Sequence, residues 1–493
     1  MTTPRHASGA GAESHATEEA RQGRPGQRLA VLAVVVALAC VGGLAGNLAG
    51  GNPPAAVLRS PSLVADAAPV SSQSSSWYCA GIPGPAGSLG QSEILLVNTA
   101  QQAVSATVDA VGTRGHAKHE LVTVPAHGQL AVAPGSLAPS AWLAARVDVA
   151  GGGVSASVQV DGSAGWTAAP CASETAPQWY FAAGSTSTGT SLRLSVFNPG
   201  ANLAVVDLSF VTAAGVTQPQ PFQGIVLNPG ASRSVTVGQY VQDHPQVAAV
   251  VTARSGAVVA TELQSVQAGG VTGLGLRLGS PVLARTWYLP RAEDASGGTS
   301  AVTVYNPSRK TQTVSVRVRL PSGPVAPFTD KLAPGGVWTL DTAQQVRIPS
   351  TAPYAMTVEA SGGPGVVVDR TTAGPSGSPS PGWGDDAAVA SVSTQATRWT
   401  VAAVNAPGSA GAAAITLVLM NPGRLPVAAL VSSLTSTGVH RVSQVTVKAE
   451  SSVTLAAGTT PLLVTAAGQL AVVGDASPTG APATALEPAI PQS

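Results

Sequence analysis

The chain has 493 residues, 10% of them charged and 4% aromatic, with a formal net charge of +1. Its length suffices for several domains, so core burial is not limiting, and its near-zero charge leaves no electrostatic footprint for nucleic acid. Charged residues fall far below the roughly 25% of ordinary globular proteins, so Ser, Thr, Gln and Gly must cover the surface, as in β-rich extracellular modules.

Residues 1–28 are hydrophilic and aperiodic and read as a cytoplasmic tail. Arg21, Arg24 and Arg28 then precede an uncharged apolar run over residues 29–48. At 1.5 Å rise per residue, about 20 residues span about 30 Å, one hydrocarbon core. This predicts a transmembrane helix over 29–48, with the arginine flank inside and the bulk of the chain outside the cytoplasm. Two other fates stay open. Ala65-Asp66-Ala67 has the form of a signal-peptide cleavage site, and Leu38-Ala39-Cys40 has the form of a lipoprotein site. Residues 49–76, rich in Pro, Ala and Ser, read as a flexible spacer.

Beyond the spacer one pattern recurs. Trp77-Tyr78-Cys79, Trp179-Tyr180-Phe181, Trp287-Tyr288-Leu289 and Trp399-Thr400-Val401 begin successive copies, the mark of tandem units. A strand ending in Asn follows each, at Asn98, Asn198, Asn306 and Asn421. Pro follows the last three, and Asn98 is followed by Thr99. Pro lacks the N–H and a following Gly accepts positive φ, so Asn-Pro-Gly stops a strand. Each copy ends in a Val/Ala hairpin around glycine. Alternating apolar and polar residues, as in Ser315-Val316-Arg317-Val318, place apolar side chains on one face. The units are 77–172, 177–282, 285–373 and 397–476, with a linker at 374–396 and a disordered tail at 477–493. Short strands with frequent turns predict an all-β chain of tandem immunoglobulin-like β-sandwiches. A β-propeller-like arrangement, two blades to each unit, is the alternative. The tryptophans are expected to plug the cores. Strung in line, four such sandwiches would reach about 150 Å.

Of the three cysteines, Cys40 lies in the apolar run, while Cys79 and Cys171 mark the two ends of the first unit. An oxidising exterior favours a Cys79–Cys171 disulfide. Catalytic motifs are missing: no Gly-x-Ser-x-Gly elbow, no Ser-x-x-Lys, no phosphate-cradling Gly-Lys-Ser/Thr loop. His119-Glu120 lacks the second histidine of a zinc-protease helix. His116, His119 and His127 cluster in the first unit and would suit a metal only if a hairpin gathered them; a solvated loop is the expectation. Glu293-Asp294 and Asp385-Asp386 read as acids in Gly-rich turns rather than as a glycosidase pair. No catalytic group, metal or cofactor is expected.

The segment WYFAAGSTSTGTSLRLSVFNPG, from Trp179 to Gly200, resembles a tandem module of secreted and envelope proteins of actinobacteria. Over roughly residues 28–475 the architecture resembles an uncharacterised actinobacterial family, a domain of unknown function with one N-terminal membrane segment. Trp399-Thr400 and Asn98-Thr99 depart from its pattern. The resemblance implies an envelope location and a non-enzymatic role. The expected function is an extracellular scaffold or binding protein contacting wall polysaccharide or another envelope protein; the alternative is an accessory factor or enzyme of envelope glycan assembly.

Overall fold

A computed structural model describes residues 65–113, 117–292, 299–349, 353–375, 383–386, 389–391, 395–405, 412–477 and 485–492. The expected tail at 1–28 and membrane helix at 29–48 lie outside the described residues. Among the described residues no helix is long and apolar enough to cross a membrane.

The first unit shows the plan. Its strands are β1 (Ser75–Pro83), β2 (Gln91–Asn98), β3 (Val104–Gly112), β4 (Ala117–Val124), β5 (Gly128–Val132), β6 (Trp142–Val149), β7 (Val154–Gly162) and β8 (Gly165–Pro170). They form two antiparallel sheets, β1-β6-β3-β4 and β5-β2-β7-β8. Period-2 alternation turns Ala106, Val108 and Ala110 of the first sheet toward Ile94, Leu96, Ala156 and Val158 of the second, closing one core around Trp77.

The second unit repeats the plan with β9 (Gln178–Phe181), β10 (Thr190–Phe197), β11 (Ala204–Thr212), β12 (Gly215–Thr217), β13 (Ile225–Leu227), β14 (Ser232–Thr236), β15 (Ala248–Ser255), β16 (Val259–Ala268) and β17 (Val271–Leu278). Its sheets are β12-β11-β15-β9 and β14-β10-β16-β17. The third and fourth units do the same around Trp287 and Trp399. The sheets therefore stack in pairs as sandwiches.

The units are not strung in line. Each sandwich brings the last strand of one sheet inward: β8, β17, Trp383–Asp386 and Ala485–Pro488, and through β17 the second unit's sheet continues into the third's. These four strands meet: β8 lies against β17 and Ala485–Pro488, and Trp383–Asp386 lies against both as well. The units thus circle a common hub, with apolar seams between first and fourth, third and fourth, and second and third. Leu263, Leu274 and Leu276 of the second unit enter the first unit's core. Backbone pairing even crosses one seam, where Val271 and Thr272 of β17 pair with Pro375 and Gly374.

Three expected boundaries need correction. The segment 374–396 is not a plain linker, since Trp383–Asp386 and Val389–Ala390 are strands of the third unit's sheets. The tail 477–493 contributes Ala485–Pro488 and Ile490–Pro491, which pair with Ala471–Ser477 and Arg398–Val401. The spacer 49–76 ends early: Ala67 is buried and bridges Gln492, its N–H donating to the Pro491 carbonyl at 2.8 Å. Pro- and Ala-rich composition reads as disorder, but each segment supplies backbone to a sheet edge that would otherwise stay unpaired.

Candidate functional site

The recurring tryptophans are core residues. Trp77, Trp179, Trp287 and Trp399 are all at most 4% exposed. The indole N–H of Trp77 donates to the Val154 carbonyl at 3.0 Å, that of Trp179 to Val258 at 2.8 Å and that of Trp287 to Val366 at 2.9 Å. These carbonyls belong to equivalent positions, where each closing hairpin returns. A large apolar body with its single donor satisfied is suited to burial.

The asparagines do more than stop strands. Asn198 Nδ2 donates to the carbonyls of Asn202 (2.8 Å) and Leu227 (3.0 Å), while its Oδ1 accepts the Gly200 N–H at 3.0 Å. Asn306 bonds Lys310, Leu332 and Ser308 in the same way, and Asn421 bonds Leu425, Val447 and Gly423. Asn98, with Thr99 in place of proline, still bonds Gln102, Val124 and Ala100. The side-chain amide therefore defines the turn, and Pro is an accessory. Each amide is buried with both donor and acceptor used, as a buried Asn requires.

Cys79 and Cys171 form a disulfide, Cα to Cα 4.6 Å. Tyr78 bridges Ala172 and Tyr180 bridges Ser280, so Phe181 and Gly279 of the second unit stand where Cys79 and Cys171 stand in the first. A Cβ on Gly279 would lie 2.6 Å from the Phe181 ring; there packing replaces the covalent link.

The two described histidines of the first unit's set lie apart from any metal-binding group. His119 is exposed on the edge strand β4, His127 occupies the turn beyond that strand at φ +46°, and His116 lies outside the described residues. Among the described residues no group of three His, Cys, Asp or Glu side chains could hold a metal. Asp385 and Asp386 stand on a strand, paired with Thr371 and Arg370, rather than in a turn. Glu293 and Asp294 lie outside the described residues.

Much of the buried charge gathers at the seams, while the buried Arg370 donates to Ser300 within the third unit at 2.8 Å. Asp369 of the third unit accepts the Ala182 and Ala183 N–H groups of the second, and its Oδ2 lies 2.8 Å from Arg277 Nη1. Arg277 is also 3.7 Å from Glu262, which is 1% exposed. Arg291 approaches Asp475 at 3.5 Å across the third–fourth seam. Beside Asp369's seam, burial and then the neighbouring Tyr180 push the Tyr305 hydroxyl up to about 12. Burial likewise raises Tyr180 and, with Glu359 adding to it, Tyr288. At the first–second seam Arg193 stacks 4.2 Å over Trp142, and burial lowers its pKa.

The seam between fourth and first units uses mainly amides, with one carboxylate, Glu93, whose Oε2 accepts from Asn405 Nδ2 at 3.1 Å. Gln129 Nε2 donates to the Ala403 carbonyl at 2.6 Å while its Oε1 accepts the Ala403 N–H at 2.8 Å. Gln159 makes the same pair with Asn405, both at 2.9 Å. Thr400 donates to Ser155 at 2.8 Å.

Outside the seams, one open cleft of about 590 Å³ lies on the third unit, lined by Arg285, Ser308, Arg309, Lys310, Ser361 and Gly363 among others. Sequence reading passed over these residues. The signal was present: aligned on the asparagine, the turns read Thr-Ala-Gln-Gln102, Pro-Gly-Ala-Asn202, Pro-Ser-Arg-Lys310 and Pro-Gly-Arg-Leu425, and the third carries two adjacent cations.

A family model described as a family of unknown function, DUF5719, matches residues 160–458, more than half of the chain. The chain belongs to this family. The DUF5719 match starts within β7 of the first unit and ends in the fourth. No curated protein matches the chain. Among solved structures, it is similar to the crystal structure of Thermotoga maritima 1070, at 14% identity and a TM-score of 0.19, over 22% of this chain and 95% of that one. It is similar at 14% identity to the Anabaena sensory rhodopsin transducer, TM-score 0.17, over 18% and 98%. A tetra-tandem repeat in the extending region of a large adhesion protein is similar at 14% identity and TM-score 0.13, over 83% and 96%.

Proposed function

We propose that this DUF5719 protein is a non-enzymatic binding scaffold of an actinobacterial cell envelope. Residues 29–48 anchor it as a single membrane span, N-terminus inside, and the circle of immunoglobulin-like sandwiches stands outside, contacting wall polysaccharide or the outer domain of an envelope protein. The observation that carries this reading is where the buried charge sits. Catalysis needs acid, base, nucleophile or metal converging on a reacting atom. Here Arg277 with Asp369, and Arg291 with Asp475, join one unit to the next, so they serve assembly. The arginine flank and the uncharged 20-residue run support the anchor.

Incubating the full-length protein with isolated wall fractions tests the reading. Retention on the wall with no change in the glycan is the expected result. Glycan cleavage or extension that depends on the purified protein would replace the scaffold with the alternative, an enzyme or accessory factor of glycan assembly. For topology, alkaline phosphatase fused after residue 64 should be active; an inactive fusion would place the ring inside the cytoplasm.

A further inference from the structure

We infer that the cleft of the third unit binds an oxyanion, phosphodiester or carboxylate, of a wall glycan; this deepens the envelope-binding reading and rests on it. Several exposed arginines are neutralised: Arg146 by Asp148, Arg254 by Asp207, Arg317 by Glu359 and Arg319 by Glu450. Arg285, Arg309 and Lys310 are exposed, converge on one cleft, and have no carboxylate partner among the described residues. In a chain of net charge +1 that concentration stands out.

The fourfold repeat supplies an internal control. The turn that carries Arg309 and Lys310 is built by the Asn306 amide, and the other three units build the same turn with Gln101-Gln102, Ala201-Asn202 and Arg424-Leu425. Two residues before the tryptophan, Arg285 corresponds to Ser75, Pro177 and Thr397. The turn therefore folds without these cations, and their presence together in one unit is not a folding requirement.

The turn's backbone and the Arg285 guanidinium are also held in place. The Asn306 Nδ2 group donates to the Lys310 carbonyl at 2.8 Å, and Lys310 N–H donates to Ser308 Oγ at 3.3 Å. Arg285 Nε donates to the Gly363 carbonyl at 3.1 Å, leaving the far end of its guanidinium toward the cleft. Pre-positioned donors lose less freedom on binding an anion. Guanidinium groups match the two oxygens of a phosphate or carboxylate, while the Ser308 hydroxyl stays within the turn, donating to Asn306 Oδ1 at 2.7 Å. Three cations neutralise one or two anionic groups, too few for duplex nucleic acid. The cleft's lining carries no aromatic or large apolar side chain to enter a lipid surface, which favours a polar chain substituent.

The test uses full-length protein in nonionic detergent with poly(glycerol phosphate), polygalacturonate, neutral dextran and phosphatidylglycerol vesicles. Binding to one of the two anionic polymers and not to dextran is expected, weakening as salt rises. Arg285→Gln, Arg309→Gln and Lys310→Gln combined should weaken it at least tenfold at unchanged melting temperature. Arg285→Lys with Arg309→Lys should retain most of it. Arg317→Gln with Arg319→Gln, which removes two exposed cations elsewhere, should leave it unchanged. Equal binding by the triple variant overturns the inference, as does tighter, cleft-dependent binding to the vesicles, which would make a lipid headgroup the occupant. Binding to neither polymer also overturns it; retention on isolated wall would then leave the envelope-binding reading standing, and loss of that retention would remove both.

Discussion

Two seams of the ring solve the same problem differently. The second and third units are consecutive in sequence, and their seam carries a buried ionic group, Arg277 with Asp369 and Glu262, alongside backbone pairing of β17 with Gly374 and Pro375. The first and fourth units are joined by no nearby covalent link, and their seam carries Gln129 and Gln159 paired to the Ala403 and Asn405 backbone. Burying ions incurs a desolvation penalty that attraction only partly repays. A neutral amide clasped to a peptide group incurs far less and still fixes register. A buried ion pair is used where the chain itself holds the partners together, and mainly amide recognition, with the half-buried Glu93 carboxylate accepting from Asn405, where the ring must find its own closure.

The strongest way to break this contrast is at the disulfide, which braces the unit that receives the closing seam. Cys79→Ala with Cys171→Ala opens a loop of 92 residues and should lower the first unit's stability by about 4–5 kcal/mol in the chain-entropy model. Denaturant unfolding of the oxidised and substituted proteins checks it; equal stability would mean that the return strand is fixed by packing alone, as at Phe181 and Gly279. Next, Asp369→Ala removes the group that Arg277 faces across the second–third seam and should destabilise by about 3 kcal/mol. The same denaturation readout applies, and a loss well under 1 kcal/mol would show that solvent reaches that seam.

Gln159→Leu should cost about 1–3 kcal/mol, because the Asn405 peptide group stays buried without its partner. Here the informative readout is small-angle scattering. The amide account requires a larger radius of gyration from partial opening between first and fourth units, while Asp369→Ala should leave the radius unchanged, since the chain still links second to third. The smallest effect concerns alkali. Tyr305 is raised from 10.0 to about 12, so the folded state keeps its proton where the unfolded chain has lost it. Its contribution is fully present below about pH 10 and is lost as pH rises through about 12. Tyr305→Phe should flatten the fall of stability in that window, measured by melting temperature against pH.

The units were legible because each rests on local rules: a tryptophan at a strand start, alternation, and an Asn turn within five residues of chain. The disulfide was legible from position and compartment. The ring was not. Its seams use Gln129, Gln159 and Thr400, which in an alternating strand look like ordinary solvent-facing residues. Its hub uses the short strands Trp383–Asp386 and Ala485–Pro488, too short to show periodicity and set in Pro- and Gly-rich sequence. The Arg285, Arg309 and Lys310 cleft escaped for a related reason. Its members are 24 to 25 residues apart in sequence, and only the sandwich places the Asn306 turn beside the Ser361–Pro364 turn.

Ala67 and Gln492 lie side by side, and the Gln492 amide reaches Thr99 at 3.1 Å. The two ends of the folded body are therefore neighbours. Joining residue 492 to residue 65 through a short linker and opening the chain between the second and third units, near residues 281–283, should yield a circular permutant with the same sandwiches and hub. In that permutant the amide seam would become the tethered one and the ionic seam the one that must close unaided.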